Sequence, residues 1–509
     1  MMGTKERAFG PLPPATLEDL VPRDHFYRHV ERTLDLGFVR DLVRDAYAEA
    51  GRPSIDPVVF FKLQLVLFFE GLRSERQLMQ VVADRLSLRW YLGYDLTEPL
   101  PDHSSLSRIR ERSGREVFRR FFEAIVAQCV SAGLVWGKEL DIDATKVAAN
   151  AALASLRPRF AVEAHLGQLF TAKDDEGEDD EGRQGPDGAG GDEPGRLPVA
   201  LTAAAQAELT EYAATRHDWI GNAGRPDRTV THGTYRRTAD FRVSTTDPDA
   251  TPMPLGDGRT HLGYQDHDVV DGGRARIILT ALVTPAEVQE NQPALDLLWQ
   301  ARFRWKLRPR QVTGDTKYGT VENIAALERQ RIRAYFPLSE VGHRIGRFGE
   351  HDFLYDAAAD SYQCPGGQTL RFLSHCQSTQ RRIYAAPAAV CATCGLRSRC
   401  TTSSRGRRVG RHLDETYRER VRAYHATESY ARAMRKRQVW VEPLFAEAKA
   451  WHGLRRFRLR GLEQVNGEAL HIAAGQNLKR LLSRHGWGRR PFPSGAAGVV
   501  LPTLASCRP

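Results

Sequence analysis

"LDIDATKVAAN", Leu140–Asn150, alternates apolar residues with acids before it turns small and polar. In a β-strand alternate side chains share a face, so Leu140, Ile142 and Ala144 point one way and Glu139, Asp141 and Asp143 the other. An ordinary half-buried strand would turn its polar side to water, whereas a metal site would hold the carboxylates together. Alternation alone does not choose between Asp141 and Asp143.

Beyond this strand the expectation is a helical stretch near residues 149–172. An acidic, Gly- and Pro-rich run follows at Asp174–Gly195, whose ten acids have no core to bury. Strand patterns resume with "HLGYQDHDVVD" (His261–Asp271) and "RARIILTALVTPA" (Arg274–Ala286), which Gly272-Gly273 would join as a tight hairpin. A helix over Pro293–Phe303, a strand over Arg310–Gly319, the helix "TVENIAALERQ" and the strand "RAYFPL" complete the order. Strand, hairpin, helix, strand, helix, strand fits a mixed sheet of three antiparallel strands extended by crossovers. We therefore expect an α/β protein with a ribonuclease-H-like core.

Upstream the pattern is helical from about Thr16 to Val135. Asp56 caps a helix with Pro57 at its first position, and "SERQ" (Ser74–Gln77) reads as a capping box. The most apolar run, "VVFFKLQLVLFF" (Val58–Phe69), contains Lys62 and Gln64 and is about half the length of a membrane span, so it reads as a buried helix. The N-terminus carries no secretory signal pattern, which makes the cytoplasm the expected compartment. The expected divisions are a helical N-terminal domain (1–135), whose basic face either lies in solvent or contacts DNA, the first core strand with its helix (136–172), an acidic insertion (173–197), further core (198–340), a cysteine-containing insertion (341–430), C-terminal helices (431–486) and a tail (487–509).

The chain of 509 residues carries a net charge of +10, and 27% of its residues are charged. Between Arg397 and Arg490 there are 23 Lys/Arg against 8 Asp/Glu, so the last third is the basic end. Such a balance points to an acidic polymer as partner. The Arg-rich runs Ser403–Arg411, Arg432–Gln438 and Leu454–Gly461 flank an acid, Glu442, and would hold a nucleic-acid backbone near it.

Metal-dependent phosphodiester chemistry needs hard oxygen ligands arriving from separate places in the chain. Asp141 or Asp143 would supply the first. Asp315 in "VTGDTKYG" leaves the end of a strand between Gly314 and Gly319; taken alone it reads as a turn or helix-cap Asp. Glu442 precedes Pro443 at the start of a helix, with Phe445 and Lys449 at i+3 and i+7 on the same face, while Glu447 points elsewhere.

In this order "LDIDATKVAANA", "TTDPDA", "GYQDH", "VTGDTKYG" and "VEPLFAEAKAWHGLRRFRLRGLEQVNGEALHIAAGQNLKRL" resemble the DDE transposases of bacterial insertion sequences. The likeness extends over nearly the whole chain apart from the acidic run and the last twenty or so residues. It implies a first metal ligand at Asp143, followed by Ala144 and Thr145, a second at Asp315 with Tyr318, and a third at Glu442 with Lys449. Related branches place a Tyr and an Arg seven and four residues before that Glu; here those positions are Arg435 and Gln438, and Arg435 or Arg437 would take over the phosphate contact. The resemblance further implies two Mg²⁺ or Mn²⁺ ions, double-stranded DNA at the element's ends and target, and a homodimer on that DNA.

Seven cysteines stand at 129, 364, 376, 391, 394, 400 and 507. Cys364, Cys391, Cys394 and Cys400 either close a structural Zn²⁺ site without an open position for chemistry or stand as free thiols in a reducing cytoplasm. Two other readings fit the same residues: a DNA-binding repressor without catalysis, and a metal-dependent nuclease that does not join strands.

Overall fold

The protein is described by a computed structural model over residues 15–44, 54–158, 242–256, 258–339, 346–349 and 352–487. The acidic run, Cys507 and most of the expected 487–509 tail lie outside the described residues. The described residues fall into two compact units, drawn from 1–113, 123–134 and 474–509 for one and from 114–122 and 135–473 for the other.

The first unit is helical: α1 (Leu17–Leu20), α2 (Phe26–Thr33), α3 (Phe38–Val43), α4 (Pro57–Phe69), α5 (Glu75–Asp84) and α6 (Leu86–Leu92), with the two ends of α7 (His103–Ser131), whose residues 114–122 belong to the second unit. The expected Asp56 cap forms, its carboxylate accepting from the Val58 amide at 2.8 Å, and the Ser74 hydroxyl accepts from the Gln77 amide, which is one half of the expected box. Helix α4 is apolar on every side and is the core helix, burying Phe60, Phe61, Leu63, Leu65 and Val66 completely. Gly114, with φ of 62°, interrupts α7, so "PDHSSLSRIRERSGREVFRRFFEAIVAQCV" makes two helical segments as its sequence suggests. Among the described residues no helix is long and apolar enough to cross a membrane.

The second unit is built on β1 (Glu139–Ala148), followed by β2 (Leu156–Pro158), β3 (Arg242–Ser244), β4 (Thr251–Pro254), β5 (Thr260–Asp271), β6 (Ile278–Pro285), α8 (Ala294–Arg304), β7 (Gln311–Thr313), α9 (Val321–Arg329) and β8 (Arg333–Tyr335). Strand β1 lies inside the sheet, antiparallel to β5 on one edge and parallel to β7 on the other. Strand β6 extends the antiparallel side and β8 the parallel side, giving the order β6-β5-β1-β7-β8, with β4 pairing the first residues of β5. A mixed α/β sheet after a helical N-terminal region is therefore present.

Two local expectations change. Residues 149–158 are not helical: a single 3-10 turn leads into β2, which pairs with β3, and the Ser155 and Ser244 hydroxyls hydrogen-bond at 2.7 Å. The β5–β6 connection is also wider than a two-residue turn, because β6 starts at Ile278. The Asp271 carboxylate accepts from the amides of Trp136, Gly137 and Gly273, while the Gly272 amide donates to Glu139 on β1. Gly272 and Gly273 thus open a longer reversal, closed where the Asp271 amide donates to the Ile277 carbonyl at 2.8 Å and the Arg276 amide to the Gly273 carbonyl at 3.1 Å.

Next come β9 (Leu354–Asp356), β10 (Ser361–Gln363), β11 (Thr369–Cys376), β12 (Arg381–Ala385), α10 (Ala388–Ala392), α11 (Arg397–Cys400) and β13 (Arg408–His412), whose strands form one antiparallel meander. Its core is Phe353, Tyr362, Leu370, Tyr384 and Val409. Helices α12 (Glu415–Tyr424), α13 (Glu428–Trp440), α14 (Glu442–Trp451) and α15 (Leu462–Arg484) close the described chain.

Candidate active site

Strand β1 presents Asp141 and Asp143 on one face, with only 4% and 7% of their surface exposed, so the acidic side of the strand is inside the protein rather than in water. Asp141 stands level with Thr313 on β7. Two residues further along are Asp143, within β1, and Asp315, just past the end of β7. Asp315 caps the short turn Thr316–Tyr318, accepting from the Lys317 amide at 2.9 Å. The tight exit depends on Gly314, where a Cβ would stand about 3 Å from Tyr318, Phe336 and Ile142.

The third acid arrives on the helices. The Trp440 indole donates to the Gly273 carbonyl at 2.7 Å and Lys436 pairs with Glu139, which fixes the end of α13 at the start of β1. Arg437 consequently faces Asp143, with a nitrogen 2.8 Å from its carboxylate, and its other nitrogen is 3.7 Å from Glu442 at the start of α14. One guanidinium thus stands between acids that are far apart in sequence. Asp143 and Glu442 are brought together, and Asp315 lies near enough for its charge to act on Asp143.

Burial dominates the electrostatics. Loss of solvent pushes the Asp143 carboxyl up to about 6, with Arg437 opposing the rise and Asp315 adding to it. It pushes Asp141 up to about 7 against the pull of Lys436. Burial also raises the Tyr318 hydroxyl well above its usual range, helped by Asp143, Glu290 and Asp315; that hydroxyl is buried without a hydrogen-bond partner. Lys449, half-buried, is lowered by desolvation and by Arg455, while Asp266 holds its charge in place.

Asp266 and Asp268 were not singled out from sequence. In the ladder Asp268 lies directly opposite Asp143, and Asp266 opposite Thr145, so both share the acidic face. The D-x-D spacing in "YQDHDVV" was the available signal: two acids on one face of the strand that pairs with β1. Arg437 was one of two arginines considered for a phosphate contact, and its carboxylate partners were not foreseen.

In the meander, Cys364, Cys391 and Cys400 pack against its core, and a Cβ on Gly366 would stand 3.4 Å from the Cys394 sulfur and 3.7 Å from that of Cys364. Burial raises the Cys400 thiol, and Cys364, Cys391 and Cys394 all add to the rise, so the four thiols are neighbours. Among the described residues no three His, Cys, Asp or Glu side chains are disposed to hold a metal ion, either here or around Asp143.

The transposase domain family DUF772 matches residues 15–112, and a transposase DDE domain matches residues 363–482. The chain carries the domains of a DDE transposase. Within the transposase the second match takes in Glu442, Lys449 and the four clustered cysteines, whereas Asp143 and Asp315 precede it. No curated protein and no solved structure matches the chain. The transposase is of the insertion-sequence type; transposases act on DNA, and DDE domains work with divalent metal ions.

Proposed function

We propose that this transposase binds the terminal inverted repeats of its insertion sequence, cleaves a strand at the element's end and joins the freed 3′-hydroxyl to target DNA. The observation that carries the reading is the meeting of Asp143 and Glu442 at Arg437, with Asp315 at the adjoining strand end. A ribonuclease-H-like core is supported by the strand order β6-β5-β1-β7-β8, antiparallel on one side of β1 and parallel on the other.

The chemistry of the donor set suits divalent cations: three carboxylates, hard oxygen donors, come from β1, from the turn after β7 and from the start of α14. Two such ions, Mg²⁺ or Mn²⁺, supply when bound activation of the attacking oxygen and stabilisation of the leaving one. Asp143, Asp315 and Glu442 would hold them. In cleavage a water oxygen loses a proton and bonds to the scissile phosphorus, while the 3′ oxygen leaves with the bonding electron pair and takes up a proton; in transfer that 3′-hydroxyl loses its proton and bonds to a target phosphorus, and the target strand's own 3′ oxygen leaves with the bonding pair and is protonated. Arg437 neutralises Asp143 and Glu442, and its planar fork suits phosphate as well as carboxylate, so it takes the phosphate contact in place of Gln438. Lys449 positions α14 through Asp266 or meets phosphate. A zinc ion on Cys364, Cys391, Cys394 and Cys400 would pin α10 and α11 to the meander. The helical domain would recognise the repeats, and the enzyme would act as a homodimer on double-stranded DNA in the cytoplasm.

Asp315→Ala tests the assignment: it is expected to bind terminal-repeat DNA normally and to cut it at least about 10³-fold more slowly. Near-normal cleavage by that variant would sink it.

A further inference from the structure

We propose that Asp268 is a fourth acidic ligand of the divalent-cation site, sharing that site with Asp143 across the β1–β5 ladder. The proposal rests on the metal-dependent reading above and extends it to a strand that supplies none of the three expected acids.

Asp143 and Asp268 are directly paired in the antiparallel register, so their side chains emerge on the same face with Cβ atoms about 5 Å apart. Like charges facing each other across a ladder repel, and both residues are withdrawn from the water that would screen them. Asp268 is only 5% exposed, and its Oδ1 has no hydrogen-bond partner. The residue beside it on the next strand is Ala281, which places no bulky side chain there.

Cations account for the other acids of this face. Lys436 pairs with Glu139 and also acts on Asp141, Arg437 pairs with Asp143, and Lys449 acts on Asp266. For Asp268 the charges that act are those of Asp266 and Asp143, both negative, and among the described residues no cation offsets them. A buried carboxylate with a bare oxygen, beside an expected metal ligand, is the arrangement that a hard cation relieves. Strand β5 is paired on both edges, by β1 and β6, so Asp268 is held with a precision that loop residues lack.

The test uses the full-length chain and Mn²⁺ alone, with binding followed by electron paramagnetic resonance of the free ion. Wild type is expected to bind Mn²⁺. Asp143→Asn and Asp268→Asn should each weaken binding on the order of tenfold or more. Without metal, Asp268→Asn should melt no lower than wild type, because the amide preserves the shape of a side chain whose buried Oδ1 has no hydrogen bond to lose. Added Mn²⁺ should raise its melting temperature less than it raises that of wild type. Asp268→Ser gives a second reading without adding volume, should the amide variant not fold. If Asp268→Asn binds Mn²⁺ within twofold of wild type while Asp143→Asn does not, Asp268 is a buried neutral acid and the proposal falls alone. If wild type binds no Mn²⁺, the metal-dependent reading falls with it.

Discussion

Replacing Arg437 by Gln should destabilise the second unit by an amount that depends strongly on pH. In the wild-type chain the Asp143 carboxyl is raised from the ordinary 3.8 to about 6, roughly two units, which corresponds to about 3 kcal/mol at 1.36 kcal/mol per unit. Because the folded value is the higher one, this contribution favours folding fully below pH 3.8 and is lost as pH rises through about 6. Arg437 is the main influence restraining the rise, and the side chains of both partners are nearly buried, at 10% and 11% exposure. Its loss leaves a buried, unpaired carboxylate at pH 8, at a cost of about 3–5 kcal/mol. At pH 5 the variant's Asp143 carries a proton, so the cost should fall to about 1–2 kcal/mol, that of the lost hydrogen bonds and packing. Hydrogen exchange of the β1 peptide, Glu139–Ala148, reads the opening free energy at both pH values. Equal losses at pH 5 and pH 8 would refute the view that Arg437 serves to hold Asp143 ionised.

Two further outcomes concern the scaffold. In urea titrations Gly263→Ala should cost about 3 kcal/mol, because its Cβ would stand 2.5 Å from the Val147 carbonyl and 2.1 Å from Met253, whereas Gly256→Ala, with nothing within 4 Å, should change unfolding by less than about 0.5 kcal/mol. Cys394→Ser should lower zinc content, measured by plasma mass spectrometry, from about one ion per chain to near none and should expose the meander to proteolysis. A wild-type protein purified without zinc would end that assignment.

The alternation of β1, the exit at Asp315 and the start of α14 at Glu442 were legible because each depends on a few consecutive residues. The acidic face as a whole was not. Reading Asp268 as a partner of Asp143 requires the register of two strands, which is set by the hydrogen-bond ladder rather than by either strand alone. Arg437 was obscured in another way: its direction depends on α13 ending at Trp440 and on the Trp440 indole reaching Gly273, the latter a tertiary event. The start of β6 was misplaced because one carboxylate, Asp271, gathers three amides that a simple hairpin would have left to the turn.

The pairing of β2 with β3 bears on how this gene can change in length. Leu156–Pro158 and Arg242–Ser244 lie side by side, and the Thr245 amide donates to the Ser155 carbonyl at 3.1 Å, so two stretches far apart in sequence are joined at one clasp. Doubling the span between two joined points adds only about 0.6 kcal/mol of closure cost. Evolution can therefore lengthen or trim the segment between them while the acids on β1 keep their register. By contrast, a single-residue deletion within β1 would turn Asp143 to the opposite side of the sheet. The same clasp marks the place where a reporter domain could be spliced into the transposase.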